Sequence, residues 1–390
     1  MILYNARLFD GTGKLWPKAT IRIEGNRIVS VNRAAPAAGE EALDLAGKFV
    51  LPGLINCHTH ICLDGSGDPT NAWIQRPLAK NVLIAAQHAE RTLRAGVTAV
   101  RDLGGMAYVD IALRDAINEG LIAGPRMKVS GRLICMTGGH GWETDGREAD
   151  GPDECRKAAR EQIKAGADVI KVMATGGIMT FGVEPGSQQF SYEEMRAAVE
   201  EAEKAGKLTA THAQGTRGIK DAVRAGIDSV EHGFFLDDEA IDMMLQRGTY
   251  FVPTLAALYY LIDAGTAFGV PQFMVDKAKR AYDAQLASFE KAHKAGVRIA
   301  AGNDGGTPRN TSDNLAGELE RMVAAGFAPA EALQAATQTA AALLRMSDQI
   351  GTVEAGKLAD LVVLRANANP LADISSVRQV ELVIKDGKVV

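Results

Sequence analysis

From Val50 onward the chain alternates short, β-rich apolar runs with longer stretches rich in Ala, Glu, Lys and Arg that carry helical periodicity. This alternation leaves few architectures open, because strand, helix and strand in succession build repeated βα units. Eight strand candidates can be counted, at 50–58, 97–102, 126–134, 168–173, 207–212, 227–232, 249–254 and 297–302. Helices are expected between them, for example Glu193 to Ala205, where Ser191 and Glu194 are spaced as a capping box, and Asp276 to Ala295. Eight units over roughly 250 residues is the count and size of an α/β (β/α)8 TIM barrel, whose functional groups lie on the loops after the strands. Residues 50–349 are therefore expected to form the barrel.

The two ends of the chain differ. Residues 1–49 show short strands (Ile2–Phe9, Ala19–Glu24, Arg27–Val31) with turns at Asp10-Gly11 and Gly25-Asn26, and residues 350–390 do likewise. The likeness of Gly25-Asn26-Arg27-Ile28-Val29 to Asp386-Gly387-Lys388-Val389-Val390 suggests one small β-sandwich built jointly from both termini. With no Pro-rich or Ser-rich linker between them, it is expected to dock on the barrel.

Composition narrows the class of partner. Forty-three basic against 48 acidic residues leave a formal charge of −5 with no basic cluster, so no footprint for nucleic acid or an anionic membrane surface is present. No apolar run approaches the roughly 20 residues of a membrane helix, and the start lacks the long apolar core of a signal peptide. Cys57, Cys62, Cys135 and Cys155 form no Cys-x-x-Cys motif and are too few for a disulfide framework. A cytoplasmic protein that acts on a small molecule, as a homo-oligomer, is expected.

The strand ends carry the chemistry. His58 and His60 close the first run, and an i, i+2 pair on a strand points to one face, so two imidazoles aim at one point. His212 ends the fifth run, His232 the sixth, and Asp304 follows the eighth. Lys171 lies within Asp168-Val169-Ile170-Lys171-Val172-Met173, where alternation turns it away from Ile170 and Val172 and into the barrel. Burial depresses a lysine pKa, and a neutral amine can add carbon dioxide to become a carbamate that bridges two cations. A salt bridge to a core acid is the alternative for Lys171. The set suits two zinc-like divalent ions roughly 3.5 to 4 Å apart that share and ionise a water. Asp304 would then shuttle the proton to a leaving amine. Nitrogen and oxygen donors do not choose strongly among zinc, iron, manganese and cobalt. One buried histidine is more often structural, but convergence from several strand ends favours metal. His88 and His293 fall in helical stretches and are expected at the surface. Cys57 faces away from His58 by alternation and is expected to pack.

At this point the chain resembles the amidohydrolase superfamily. Pro52-Gly53-Leu54-Ile55-Asn56-Cys57-His58-Thr59-His60 is close to that family's Pro-Gly-Leu-Ile-Asp-x-His-x-His, and the segment Gly351 to Leu364 resembles its return to the small domain. The resemblance implies His58 and His60 on the more buried metal, Lys171 as carboxylated bridge, His212 and His232 on the second metal, and Asp304 as ligand and proton shuttle. Within the superfamily the chain is most similar to the metal-dependent dipeptidase and carboxypeptidase branch, also labelled imidazolonepropionase-like. Thr137-Gly138-Gly139-His140-Gly141 matches that branch's Thr-Gly-Gly-His-Gly, which implies His140 as the group that contacts the scissile carbonyl. The turn Ala174-Thr175-Gly176-Gly177-Ile178-Met179 also matches, and N–H groups at Gly176 and Gly177 would hold a substrate carboxylate, unless the pair is only a tight turn. Arg76 and Arg309 are further candidates for that carboxylate. The pocket walls are expected from loops 305–313 and 176–190 and from Trp73 to Arg76. Asn56 stands where the family usually has Asp, Asn303 where Thr is usual, and the loop after Asp304 lacks a histidine often found there. The expected activity is hydrolysis of an amide bond in a dipeptide or N-acyl amino acid. The alternatives are a cyclic amide, carbamate or ester hydrolase on the same metals, and a non-catalytic binding barrel. A mononuclear deaminase would not need Lys171.

Overall fold

The run expected as one strand from 50 to 58 is two strands in the computed structural model, which describes residues 1–390. Phe49–Pro52 belongs to one sheet and Leu54–Thr59 to another, with Gly53 between them. A Cβ at Gly53 would lie 2.1 Å from Thr98 Oγ1, so only glycine lets the chain pass there.

The first sheet gathers both termini. Its eight strands include Ile2–Phe9, Leu15–Glu24 and Arg27–Asn32 from one end, and Leu361–Leu364, Val380–Lys385 and Lys388–Val389 from the other. Phe49–Pro52 is the joint, pairing parallel with Ile2–Phe9 and antiparallel with Leu361–Leu364. Leu3, Leu8, Ile21, Val50, Leu361 and Ile384 form part of a separate apolar cluster beneath it.

The remaining strands are all parallel, as βα units require. Leu54–Thr59, Val97–Asp102 and Arg126–Val129 make a three-stranded sheet. Ile134–Cys135, Val169–Met173, Leu208–Ala213, Ser229–His232 and Tyr250–Val252 run in a six-stranded one, with the short Arg147–Glu148 at its edge. Asp168 N–H donates to Val129 O at 2.8 Å between the two sheets. The expected strand at 297–302 is not regular. It makes one isolated bridge, Ile299 with Phe251, carried by Phe251 N–H to Arg298 O at 2.9 Å and Ala300 N–H to Phe251 O at 3.0 Å, and on the other side Cys57 N–H donates to Ala301 O at 2.9 Å. Beyond it, Asp304 N–H donates to His58 O at 2.9 Å.

The helices cover these sheets by their apolar faces. Tyr192–Lys204 begins at Ser191, whose side chain accepts from Glu194 N–H while Glu194 reaches back to Ser191 N–H at 2.7 Å, the expected capping box. It buries Met195, Ala198, Val199 and Ala202, one stripe at helical spacing. Gln272–Ala295 starts four residues earlier than expected, behind Pro271. No helix is long and apolar enough to cross a membrane.

Helix Leu255–Ala264 is fastened by a buried acid. The Glu318 carboxyl accepts from Leu255 N–H at 2.9 Å and Ala256 N–H at 2.7 Å, at the positive end of the helix dipole. Burial nevertheless pushes its pKa up to about 8. An acid whose folded pKa exceeds its unfolded value loses stability as pH rises from the unfolded value through the folded one. Relative to Glu318→Gln, the wild-type thermal midpoint should therefore fall between pH 5 and pH 8. Parallel midpoints over that range, by differential scanning calorimetry, would show that the carboxyl is ionised throughout.

Candidate metal centre

His58, fully buried, lies near the end of Leu54–Thr59, and His60 follows the strand. Their Nε2 atoms are 3.3 Å apart, and Asp304 brings Oδ1 to 3.2 Å of each. His58, His232 and Asp304 each offer a donor atom within 4.8 Å of the others. The His212 ring lies 4.5 Å from that of His232 and 4.3 Å from that of His140. Lys171 projects from Val169–Met173 and is 1% exposed. The six residues expected as ligands thus line one cavity, together with His140.

Burial sets the protonation of the group. It pushes His232 down to about 4, His140 to about 3, and His58 and His212 well below the usual imidazole value. All four are neutral, the form that binds cations. Burial also lowers Lys171 to about 8, against the attraction of Glu231 and Asp304 acting through space. For Asp304, burial would raise the carboxyl, but His58, His60 and His232 outweigh it and hold it well below the carboxylate range. The donor chemistry therefore fits a divalent cation: neutral nitrogens, one ionised carboxylate and one amine that is readily deprotonated. Burial pushes the Cys57 thiol up to about 12, so it stays protonated beside the centre and packs.

Three imidazoles are oriented by partners on their outer nitrogens. His58 Nδ1 meets Glu231 Oε2 at 2.9 Å, His232 Nδ1 meets Thr254 Oγ1 at 2.8 Å, and His212 Nε2 meets Gly176 O at 3.0 Å. The opposite nitrogens of His232 and His212 have no hydrogen-bond partner, and that of His58 faces His60 Nε2 and Asp304 Oδ1. Glu231 is itself held by the Arg101 guanidinium at 2.8 Å and by Ser229 Oγ at 2.6 Å, all fully buried. Arg101 also donates to Cys57 O at 2.6 Å. The sequence signal for this pair is an Arg and a Glu inside two β-strand candidates, at 97–102 and 227–232. Alternation would send Glu231 and His232 to opposite faces. His232 escapes that rule because its φ is +71°, outside strand geometry. Asp304 at +55° and Thr254 at +52° are strained alike.

Asn56 and Asn303, two departures from the family pattern, touch each other. Asn56 Nδ2 donates to Asn303 Oδ1 at 2.7 Å and Asn303 N–H to Asn56 Oδ1 at 3.2 Å. Asn303 Nδ2 spends its protons on Asn310 Oδ1 and Thr311 O, at 3.0 and 2.9 Å. The backbone leading into Asp304 is thereby fixed.

Other expectations need correction. His88 is buried, not at the surface, because its Nδ1 bonds Ile61 O at 3.0 Å just past the ligand strand. His293 is half-buried against Glu331. Neither Arg76 nor Arg309 reaches the cavity: Arg76 pairs with Asp64, and Arg309 with Asp263 at 2.7 Å on the surface. Gly176 N–H is consumed by Ser187 O at 2.8 Å, and Gly177 packs under the His140 ring. The walls come from Thr307 and the 178–180 stretch, as expected, but Trp73 to Arg76 takes no part. Met106, Leu133, Phe234 and Leu258 make the cavity largely apolar, with about 870 Å³ of space including its open mouth.

Parallel strands that end in a buried cluster of neutral imidazoles, a lysine and an aspartate make a candidate metal centre. The chain belongs to the amidohydrolase family, whose model matches residues 49–390, and is an enzyme acting on C–N bonds. It is 32% identical to the ochratoxinase of Aspergillus niger, over 96% of this chain and 82% of that one. Among solved structures it is similar to a Xaa-Pro dipeptidase with methionine bound in the active site, at 36% identity and a TM-score of 0.92, covering 100% of this chain and 99% of that one. It also resembles a prolidase complexed with N-methylphosphonate-L-proline, at 33% identity and a TM-score of 0.90, with 100% and 98% covered.

If Glu231 orients His58, Glu231→Gln should weaken zinc binding by about 10- to 100-fold, the usual effect of losing such a partner. Competition titration against a fluorescent zinc chelator measures this, and an unchanged affinity would mean that His58 needs no orienting carboxylate.

Proposed function

We propose that this chain hydrolyses the amide bond of a dipeptide or N-acyl amino acid, with two divalent ions, most simply zinc, held by His58, His60, His212, His232, Asp304 and a carbamate on Lys171. The observation that carries this is the buried, easily neutralised amine of Lys171 set among the neutral imidazoles of His58, His140, His212 and His232 and one ionised carboxylate. When bound, such ions polarise the carbonyl and acidify water. The chain's own groups do the rest. Asp304 accepts the proton of the attacking water, whose oxygen bonds to the amide carbon. His140 donates from Nε2 to the carbonyl oxygen as charge builds there. Cleavage of the C–N bond then leaves a carboxylate, and Asp304 returns the proton to the departing amine. The cavity walls favour an apolar side chain, and they exclude water from the reacting bond. The same proposal closes the two parallel sheets into an eight-stranded barrel through residues 298–304, with the terminal sheet folding over its own apolar cluster as a sandwich.

One observation favours a second function on the same centre, the hydrolysis of cyclic amides, carbamates or esters that carry no carboxylate. Apart from Lys171, no lysine or arginine lines the cavity, and Arg76 and Arg309 are committed elsewhere. A screen of Xaa-Pro dipeptides and N-acyl amino acids beside their C-terminal amides decides between them. Dipeptide turnover exceeding that of the amides supports the first, and the reverse supports the second. Lys171→Ala should lose most bound metal, by elemental analysis after growth with zinc, and activity should fall by more than about 100-fold. Two retained metals and full turnover would refute the bridging role.

A further inference from the structure

We infer that Thr180 is a positioning residue that fixes the tautomer of His140, and that Lys277 holds Thr180 in place for this. Thr180 is 3% exposed, with Oγ1 2.9 Å from His140 Nδ1 and 3.2 Å from Gly141 N. A hydroxyl has one proton and two lone pairs, whereas a backbone N–H only donates. Gly141 therefore occupies a lone pair of Thr180. Were His140 Nδ1 to donate as well, the buried hydroxyl proton would have no acceptor. The balanced arrangement has Thr180 donating to Nδ1, which places the imidazole proton on Nε2. That nitrogen has no protein partner, and the residue lines the cavity. This is the tautomer able to donate to a carbonyl oxygen.

The loop is built to keep that geometry. Lys277, on Gln272–Ala295 and 5% exposed, donates to Thr180 O at 2.7 Å, Val183 O at 2.5 Å and Gly177 O at 3.4 Å. An ammonium satisfied by three backbone carbonyls pins the turn from outside. On its inner side, a Cβ at Gly177 would fall within 2.6 Å of three atoms of the His140 ring, so glycine lets the loop lie against the imidazole. Gln189 Oε1 accepts from His140 N–H at 2.9 Å and anchors the backbone as well. None of Thr180, Lys277 and Gln189 belongs to the proposed ligand set.

The test is spectroscopic and uses zinc-loaded protein labelled with 15N-histidine. Long-range 1H–15N spectra report which ring nitrogen carries the proton, and the signals of His140 are those lost in His140→Gln. Wild type and Thr180→Ser should show His140 protonated at Nε2, and Thr180→Val should shift protonation toward Nδ1. Protonation at Nδ1 in wild type overturns the inference, and so does a Thr180→Val spectrum with Nε2 protonation unchanged. The wild-type spectrum decides alone if Thr180→Val does not fold. The kinetic consequence rests on the proposed role of His140. On whichever dipeptide or amide the screen yields, Thr180→Val should lower kcat by about tenfold or more with little change in KM, and Thr180→Ser should restore it. If His140→Gln keeps full kcat while the tautomer is as stated, the role of His140 in turnover fails and the tautomer assignment stands.

Discussion

The ion pair between Arg101 and Glu231 is the interaction on which the centre depends. Both residues are fully buried, and they come from different parallel sheets, so the pair ties the two sheets together. Taking two charges out of water costs several kcal/mol per ion, and the cost is offset only when further hydrogen bonds complete both groups. Here Cys57 O, Ser229 Oγ and the second carboxylate oxygen provide them. That second oxygen is the one that orients His58. Breaking the pair would leave a buried charge uncompensated, at a cost of about 3–5 kcal/mol, so the imidazole is held by an element the fold cannot easily lose.

Above this pair the molecule accepts local strain. His232, Thr254 and Asp304 occupy left-handed backbone at three successive strand ends, a conformation unfavourable for side chains other than glycine. The return is geometric. Glu231 and His232 both face inward although adjacent, and Asp304 turns back over His58 and His60. The strain sits where the cavity begins, between a polar floor and apolar walls.

Much of this was legible in the chain. Apolar runs at regular spacing gave the parallel strands, and chemistry-bearing residues at their ends gave the clustered donors, because both follow from periodicity and from the one-sided geometry of βα units. The irregular pairing at 297–302 was not legible, since one isolated bridge and a few hydrogen bonds leave no periodic trace. The carboxylate-binding arginines were misplaced for another reason. Long side chains choose among acids brought near by loops, and Asp64 and Asp263 were invisible as partners of Arg76 and Arg309. His88 lies on the buried stripe of its helix with Asn81, Ala85, Ala89 and Thr92, a face that small and polar side chains mark only weakly in the sequence.

The facing amides of Asn56 and Asn303 constrain which residues either position accepts. A carboxylate at position 56 would confront Asn303 Oδ1 with a second acceptor. Rotating the Asn303 amide to relieve that would turn its oxygen on Asn310 Oδ1 and Thr311 O. A threonine at 303 could instead donate to an aspartate at 56. The two positions are coupled: an aspartate at 56 needs a donor opposite it, which the Asn303 side chain, with both its protons spent elsewhere, does not supply.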